Sequence, residues 1–222
     1  MITLFKSQPK GLWFLCGIEV WERFSYYGMR AILILFLTSE FWGMSDTQAY
    51  LTYGSYVAFV YMTPLIGGYI SDAYLGHTTS MKYGCIFIMI GHTLLSTQTS
   101  FFLGLAFVVV GTGFFKSSMA TNIGRVYTED NKQHKDSGYT LFYMSVNFGS
   151  AFSIIAVPLV AKYLGWHTGF ALAALGMGVG LLTLFIGQAK GLIPKDQIKA
   201  TRKTHIIVII CGLIATLVFQ QL

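Results

Sequence analysis

Residues 12–37 read LWFLCGIEVWERFSYYGMRAILILFL. This stretch is long enough to cross a bilayer, whose roughly 30 Å hydrocarbon core requires about 20 apolar residues in a helix. It nevertheless carries four charged side chains, namely Glu19, Glu22, Arg23 and Arg30. A charged side chain that faces lipid at a helix centre costs about 2.5–3.5 kcal/mol. The stretch therefore predicts a membrane helix whose charged face is turned towards protein or water.

The composition extends this prediction to the whole chain. Of 222 residues, 54% are hydrophobic and only 11% are charged, and the mean hydropathy is +0.60. An ordinary soluble domain has about 25% charged residues, so the composition argues against a soluble enzyme. The three cysteines, Cys16, Cys85 and Cys211, lie in apolar stretches at unrelated spacings, which predicts core residues rather than a disulfide framework or a zinc site. No cofactor and no metal are predicted.

Seven apolar stretches follow one another along the chain, at residues 12–37, 51–73, 81–96, 101–124, 139–163, 169–189 and 205–222. The pattern predicts an all-α membrane protein with three parts. These are an N-terminal six-helix transmembrane bundle at 1–189, a basic cytoplasmic connector at 190–204 and the start of a seventh transmembrane helix at 205–222.

The basic residues predict the orientation, because Lys and Arg are retained in cytoplasmic connections. With a cytoplasmic N-terminus, eleven of them lie on that side: Lys6, Lys10, Lys82, Arg125, Lys132, Lys135, Lys190, Lys195, Lys199, Arg202 and Lys203. The other side has only Lys162. This asymmetry accounts for the net charge of +6 without nucleic acid as a partner. Arg23, Arg30 and Lys116 remain inside spans.

The charges of the first span fall on one face of the helix. At about 100° per residue, the charged residues and one tyrosine occupy a stripe about 100° wide. The members of this stripe are Glu19, Glu22, Arg23, Tyr26 and Arg30. Such buried charges could simply lock helices together as ion pairs. Two carboxylates and three cations in so apolar a chain instead favour a substrate pathway or a proton relay.

Lys116 on the fourth span lies at a matching depth. At about 1.5 Å per residue, Glu19 lies roughly 10 Å and Lys116 roughly 12 Å from the cytoplasmic ends of their spans. Six spans followed by a basic connector suggest a three-plus-three inverted repeat, in which the first and fourth helices line a central cavity. This organisation favours a transporter.

The charged segment carries a resemblance to a known family. Residues 19–28, EVWERFSYYG, resemble the E-x-x-E-R-F-x-Y-Y-G signature of the proton-dependent oligopeptide transporter (POT) family within the major facilitator superfamily. Residues 67–76, GGYISDAYLG, are similar to the family's G-G-x-x-A-D-x-x-L-G turn, with Ser71 in place of alanine. Residues 28–38, GMRAILILFLT, resemble bacterial di- and tripeptide permeases.

Two further segments agree with this resemblance. Residues 142–150, FYMSVNFGS, resemble the family's F-Y-x-x-I-N-x-G-S motif, with Val146 in place of isoleucine. Residues 111–118, GTGFFKSS, are similar to a glycine-rich segment that ends in Lys-Pro. Lys116 is in place, but Ser117 replaces the proline, which puts the local bend of the fourth helix in doubt.

The resemblance implies roles for particular residues. It implies proton coupling by Glu19, Glu22, Arg23 and Lys116. It implies peptide binding by Arg23, Tyr26, Tyr27, Arg30, Tyr61, Lys116 and Asn147. It implies a gate turn that contains Gly68, Asp72 and Gly76, in which Asp72 caps a helix and forms a gate contact. The second-helix histidine of mammalian members corresponds to Gly54, so coupling by glutamate is favoured. By its residue type alone, Asn147 could instead hold two helices together.

The resemblance also implies a second part of the transporter. Members of the family have two six-helix bundles with the substrate between them, and this chain supplies the first bundle. We expect a fragment of a longer protein, although a separate second polypeptide or two paired halves would also complete the transporter. The acidic residue that holds the peptide amine in relatives belongs to the second bundle.

The expected function is therefore proton-coupled import of di- and tripeptides through the bacterial inner membrane by alternating access, and not an enzymatic reaction. The expected partners are peptides, protons, membrane lipid and the second six-helix half. Two alternatives remain open. One is a transporter of nitrate or of a small organic anion on the same scaffold, and the other is a non-transporting membrane subunit or an inert fragment.

Overall fold

The computed structural model describes residues 7–198 and 200–220, with only the backbone described at Gln220. The described residues form seven α-helices: α1 (Lys10–Thr38), α2 (Asp46–Ile70), α3 (His77–Leu95), α4 (Phe101–Arg125), α5 (Lys135–Leu164), α6 (Trp166–Ala189) and α7 (Arg202–Gln220). A π-helical turn, Ser71–Leu75, follows α2, and a 3-10 helix, Glu129–His134, precedes α5. The predicted all-α class is confirmed. Lys6, Lys199 and Leu222, which the sequence predictions used, lie outside the described residues.

Helices α1–α3 and α4–α6 form two triplets that make equivalent contacts. Helix α1 packs mainly against α5 and α6, and α4 packs mainly against α2 and α3. Helices α3 and α6 contact each other. The contacts of α1 with α5 and α6 thus correspond to the contacts of α4 with α2 and α3. This is the arrangement expected of a three-plus-three repeat, and it places α1 and α4 in equivalent positions.

Local signals explain where several helices begin. Ser45 and Gln48 form a capping box at the start of α2, in which each side chain satisfies a backbone group of the other residue. Gly76 and Gly165 have φ values of 78° and 92° and lie immediately before α3 and α6. These left-handed conformations suit glycine because it has no Cβ. The chain can therefore reverse direction within a single residue at both places.

Helices α3 and α4 approach each other closely along a row of glycines. A Cβ atom at Gly91 would lie 2.8 Å from the Gly104 carbonyl oxygen, and one at Gly84 would lie 2.8 Å from the Gly111 carbonyl oxygen. Gly176 on α6 similarly allows a close approach to α1, because a Cβ at this position would lie 2.7 Å from Phe24. Small residues thus determine the distances between the backbones of neighbouring helices.

Gly91→Ala tests the contact between α3 and α4. The added methyl group meets the backbone of α4, so we expect a loss of about 1–3 kcal/mol of stability, the usual effect of overpacking. The measurement is the thermal unfolding midpoint of purified protein in detergent. Gly54→Ala is the matched control, because nothing lies within 4 Å of the corresponding Cβ position. Equal midpoints for the two variants would contradict the close approach of these helices.

The described helices form an integral membrane protein. By length and composition, four of them are apolar enough to cross a bilayer: α4, the continuous helical segment Glu129–Leu164 that includes α5, α6, and Arg202–Phe219 of α7. Helix α1 carries buried charges that lower its apolarity. Helices α2 and α5 bury only five of 25 and seven of 30 residues, so both have wide exposed faces.

Helix α7 packs on the outer side of α4, beside α2 and α3. Val208 lies in a small apolar cluster with Phe87 and Phe114, and the ring of Phe219 lies 4.7 Å from that of Phe59. Tyr83 and His205 Nδ1 are joined by a 2.9 Å hydrogen bond. Helix α7 begins three residues before the predicted seventh span.

The beginning of the described chain is tied to the start of α5. The Tyr127 hydroxyl donates to Gln8 Oε1 over 2.6 Å, and Gln8 Nε2 donates to Ser137 Oγ over 2.9 Å. Burial raises the pKa of Tyr127 to about 12, so its hydroxyl remains a donor at neutral pH. These bonds connect the residues before α1 to the segment after α4 and to the start of α5.

Candidate functional site

The charged stripe of α1 forms a buried ion cluster. Glu19, Glu22 and Arg23 are each no more than 5% exposed. Arg23 Nε lies 3.0 Å from Glu19 Oε1, and the Arg23 guanidinium also makes a close ion pair with Glu22 Oε2. One arginine thus bridges two carboxylates. Among the described residues, the second Glu22 oxygen, Oε1, has no hydrogen-bond partner.

Lys116 lies near this cluster from the side of α4. It is half-buried and lies within electrostatic range of Arg23, Glu22 and Glu19. Glu19 is nine residues from the start of α1 and Lys116 nine residues from the end of α4, so at about 1.5 Å per residue both lie roughly 13 Å deep. The predicted matching depth therefore agrees with the helix boundaries.

Glu19 and Lys116 lie at equal depth, but Glu19 forms its salt bridge with Arg23 and not with Lys116. Both carboxylates pair with Arg23 on their own helix, whereas Lys116 makes a cation–π contact, with Nζ 4.7 Å from the centre of the Tyr61 ring. For Glu19 the physical reason is the helix repeat, because residues four apart lie on one face and reach each other directly. Glu22 is instead the immediate neighbour of Arg23 in the chain. Lys116 is left close to the acids without a salt bridge to either.

The predicted aromatic residues surround Arg23. The Arg23 guanidinium carbon lies 5.3 Å from the centre of the Tyr26 ring and 6.0 Å from that of Tyr27. The two rings meet edge to face at 5.1 Å. Tyr26 is buried and Tyr27 half-buried, so one edge of this aromatic group remains accessible. Such rings stabilise a cation by their π faces.

Arg30 lies about two turns further along α1 and has a separate partner. Its guanidinium donates a short hydrogen bond to the Tyr53 hydroxyl and lies 5.3 Å from the centre of the Tyr53 ring. Arg30 is half-buried, unlike Arg23. The predicted stripe is therefore divided into a buried cluster around Arg23 and a more accessible cation at Arg30.

Asn147 is not brought into the ion cluster. It lies on α5, two residues before Gly149, where a Cβ atom would lie 3.1 Å from Arg23 Cβ. The Asn147 side chain is on the exposed side of α5 and has no hydrogen bond to any described residue. Among the described helices, the Asn147 side chain therefore makes no hydrogen bond that joins two of them.

The three residues of the predicted gate turn occupy different environments. A Cβ atom at Gly68 would lie 3.4 Å from Ser117 Cβ, next to Lys116. The Asp72 side chain is 70% exposed, and its Oδ1 lies 2.9 Å from His77 Nε2. Asp72 was expected to cap a helix, and this expectation is wrong. The N-terminal amides of α3 are instead capped by Asp196 from the connector.

Two departures from the family motifs have visible consequences. Ser71 donates to the Gly67 carbonyl over 2.6 Å and lies 3.1 Å from Ser118 Oγ, which adds a polar contact between the end of α2 and α4. Ser117 donates to the Gly113 carbonyl over 3.1 Å within an uninterrupted α4. Serine satisfies the backbone of the preceding turn, whereas proline would remove a donor.

Buried polar groups outside the predicted set also lie near the site. The Tyr56 hydroxyl is buried on α2 without a hydrogen bond to the described part of the chain, and it is within electrostatic range of Tyr26 and Glu22. His92 is also fully buried, and neither of its ring nitrogens bonds to a described residue.

Sequence reasoning missed three contributors, namely Tyr53, Tyr56 and Asp196. Tyr53 and Tyr56 are three apart on α2 and so share a helix face, a spacing that could have drawn attention to them. Asp196 is an isolated acid in a basic connector. No local pattern connects it to α3, which lies 118 residues earlier in the chain.

The two equivalent triplets of helices, with charges buried on α1 beside α4, form a helical bundle of the major-facilitator type. Comparison with known proteins gives the particular family. The POT family profile matches residues 79–219, and the chain belongs to this family.

Individual relatives agree with this assignment. The uncharacterized transporter YclF of Bacillus subtilis (strain 168) is 36% identical over 195 residues, which cover 85% of this chain and 39% of YclF. A di-/tripeptide transporter of Lactococcus lactis subsp. cremoris is 34% identical over 218 residues, covering 92% and 44%. A solved bacterial homologue of the human drug peptide transporters has a TM-score of 0.87 at 30% identity, covering 95% and 49%. The chain thus spans less than half the length of these relatives.

Proposed function

We propose that this chain is the first half of a transporter that couples proton entry to the import of di- and tripeptides by alternating access. The observation that carries the proposal is the buried cluster in which Glu19 and Glu22 share Arg23 beside Lys116. Ionised groups inside a membrane bundle are costly and mark ion or substrate pathways. The relatives named as di-/tripeptide transporters support a peptide as the substrate.

In this proposal the two carboxylates receive the transported proton. Glu22 Oε1 lacks a partner among the described residues and is therefore the open acceptor. Protonation of either acid removes a negative charge that Arg23 balances, so the guanidinium becomes free to bind a peptide carboxylate. Proton and peptide then favour the same conformation, and their combined binding shifts the equilibrium between the outward-open and inward-open states.

The peptide would be held by three kinds of group. A zwitterionic peptide requires cations for its carboxylate, an amide partner for its peptide bond and aromatic walls that accept varied side chains. The proposed cations are Arg23, Arg30 and Lys116, the proposed walls are Tyr26, Tyr27 and Tyr61, and the proposed amide partner is Asn147. The exposure of Asn147 supports this role, because its side-chain amide remains available to a ligand.

The second six-helix half is proposed to cover the exposed faces of α2 and α5. These faces carry large apolar side chains, including Leu65, Phe148 and Ile155, which are 79%, 67% and 68% exposed. The same half would supply the acid for the peptide amine. The proposed parts of this chain are the bundle at 1–189, the connector at 190–204 and the seventh helix from 205. The proposed location is the bacterial inner membrane, with a cytoplasmic N-terminus.

Uptake into proteoliposomes tests the proposed function. The complete transporter, meaning this chain with the second half, is expected to accumulate labelled dialanine when the outside is more acidic. One pH unit supplies about 1.4 kcal/mol per proton, enough for about tenfold accumulation with one coupled proton. A protonophore should abolish the accumulation. Absence of uphill uptake by folded transporter would contradict the proposal.

A competition panel separates the alternative functions. Unlabelled di- and tripeptides are expected to displace dialanine, whereas nitrate at the same concentration should not. Inhibition by nitrate without inhibition by peptides would identify an anion transporter on the same scaffold. A folded, monodisperse protein that binds neither ligand in detergent would instead indicate a non-transporting membrane subunit.

A further inference from the structure

Asp196 of the connector caps the start of α3. Its Oδ1 accepts from the Thr78 amide over 2.8 Å, and its Oδ2 accepts from the Thr79 amide over 2.8 Å and the Thr79 hydroxyl over 2.7 Å. These two amides are among those that a helix N-terminus leaves unpaired. The N-cap position itself is Gly76, which has no side chain to accept them. A carboxylate at this position is also favoured by the helix dipole.

The end of α4 holds the same segment from the other side. Arg125 lies 3.6 Å from Asp196 Oδ1, donates to the Lys195 carbonyl over 2.5 Å and donates to Asn122 Oδ1 over 3.0 Å. The Thr78 hydroxyl is 2.6 Å from the Pro194 carbonyl oxygen, which it can reach as a donor. The start of α3, the end of α4 and the connector are therefore joined by one polar network.

The contact also accounts for the glycine in the gate turn. A Cβ atom at residue 76 would lie 2.6 Å from Asp196 Cβ, and the φ of Gly76 is 78°. Both space and backbone conformation thus require glycine there. The two acids near this turn differ in exposure: the side chain of Asp196 is 11% exposed and that of Asp72 is 70% exposed.

We infer that Asp196 is a positioning residue for the cytoplasmic gate: by capping α3 and pairing with Arg125, it fixes the Gly76 turn to α4. The inference rests on the proposed transport function. Helices α3 and α4 already pack closely along their glycines, and the network joins their ends to the connector, so that all three move as one body. It leaves Asp72 exposed beside the turn, available to the second half when the gate closes. It also attaches the connector that leads into α7 to the same body.

Two measurements on Asp196→Ala test this inference in the complete transporter. Hydrogen exchange at the Thr78 and Thr79 amides is expected to become about tenfold faster, because the cap stabilises this turn. The maximal rate of proton-driven dialanine uptake should fall about tenfold, with KM changed less than about twofold, because the peptide site is distant and intact. Asp196→Asn retains one acceptor oxygen and should restore part of both properties.

Asp136→Ala is the matched control. Asp136 is an exposed acid in the first turn of α5, so its loss should change neither exchange at α3 nor uptake. Arg125→Ala combined with Asp196→Ala should lower the maximal rate little beyond Asp196→Ala alone, as expected for residues that act through one contact.

The inference is overturned if Asp196→Ala and Asp196→Asn transport at the wild-type rate, or if KM rises while the maximal rate is kept. The exchange measurement requires no transport, so wild-type protein that protects these amides but transports nothing would refute the proposed function and not the capping contact.

Discussion

Arg23→Met is expected to destabilise the protein by about 3–5 kcal/mol, the usual effect of removing one partner from a buried ion pair. Arg23 is the cation that the structure pairs with both Glu19 and Glu22, and all three side chains are buried. Methionine roughly preserves the apolar part of the side chain but leaves the acids without their guanidinium. The measurement is the thermal unfolding midpoint in detergent, together with dialanine uptake.

Arg30→Met is the matched control for this prediction. It removes the same charge from the same helix, but Arg30 is half-buried and its partner is a neutral tyrosine, Tyr53. Its midpoint should fall much less. Adding Glu19→Gln and Glu22→Gln to Arg23→Met should recover stability without recovering uptake, because neutral side chains need no buried counter-ion. An Arg23→Met protein as stable as wild type would show that the acids do not depend on this arginine.

Lys116→Ala is expected to lower uphill dialanine uptake by about 10- to 100-fold, the effect of losing a hydrogen bond or ion contact of about 1.5–3 kcal/mol to a charged group. In the proposed cycle Lys116 balances the acids when Arg23 turns to the peptide. Its position near the cluster and over the Tyr61 ring supports this role. Uptake should be measured with and without a pH gradient, so that coupling is separated from peptide binding.

Lys82→Ala is the control for Lys116→Ala. Lys82 also places its Nζ over an aromatic ring, 5.6 Å from the centre of Phe185, but it lies on α3 and outside the proposed site. This variant should retain gradient-driven accumulation. If Lys116→Ala still accumulates dialanine uphill like wild type, the proposed coupling role of Lys116 is wrong, even if peptide transport itself stands.

Much of the fold follows from local pattern. The positions of the membrane helices could be predicted because apolar stretches about 20 residues long have few alternatives to a spanning helix. The common face of Glu19 and Arg23 could be predicted because the helix repeat fixes the angle between residues four apart. Family membership followed from short motifs and is confirmed by the family profile. The roles of the site residues remain predictions.

Partners across long sequence separations could not be predicted in the same way. Asp72, the acid inside the gate motif, was expected to cap a helix, yet Asp196 from the connector caps α3. Lys116 and Glu19 lie at matching depths as predicted, but the acid pairs with Arg23 on its own helix. In both cases more than one charged side chain could make the contact, and sequence spacing does not choose among them.

The amino-acid sequence alone determined the membrane setting, the all-α class and the stripe of charges on α1, because hydrophobicity and the helix period act on neighbouring residues. Only the tertiary structure decided that α1 packs on α5 and α6, that Arg23 is shared by two acids, and that the connector caps α3. The physical reason is that these contacts depend on how rigid helices are placed relative to one another. Close approach at glycines and the path of the connector set that placement, and both involve residues far apart in the chain.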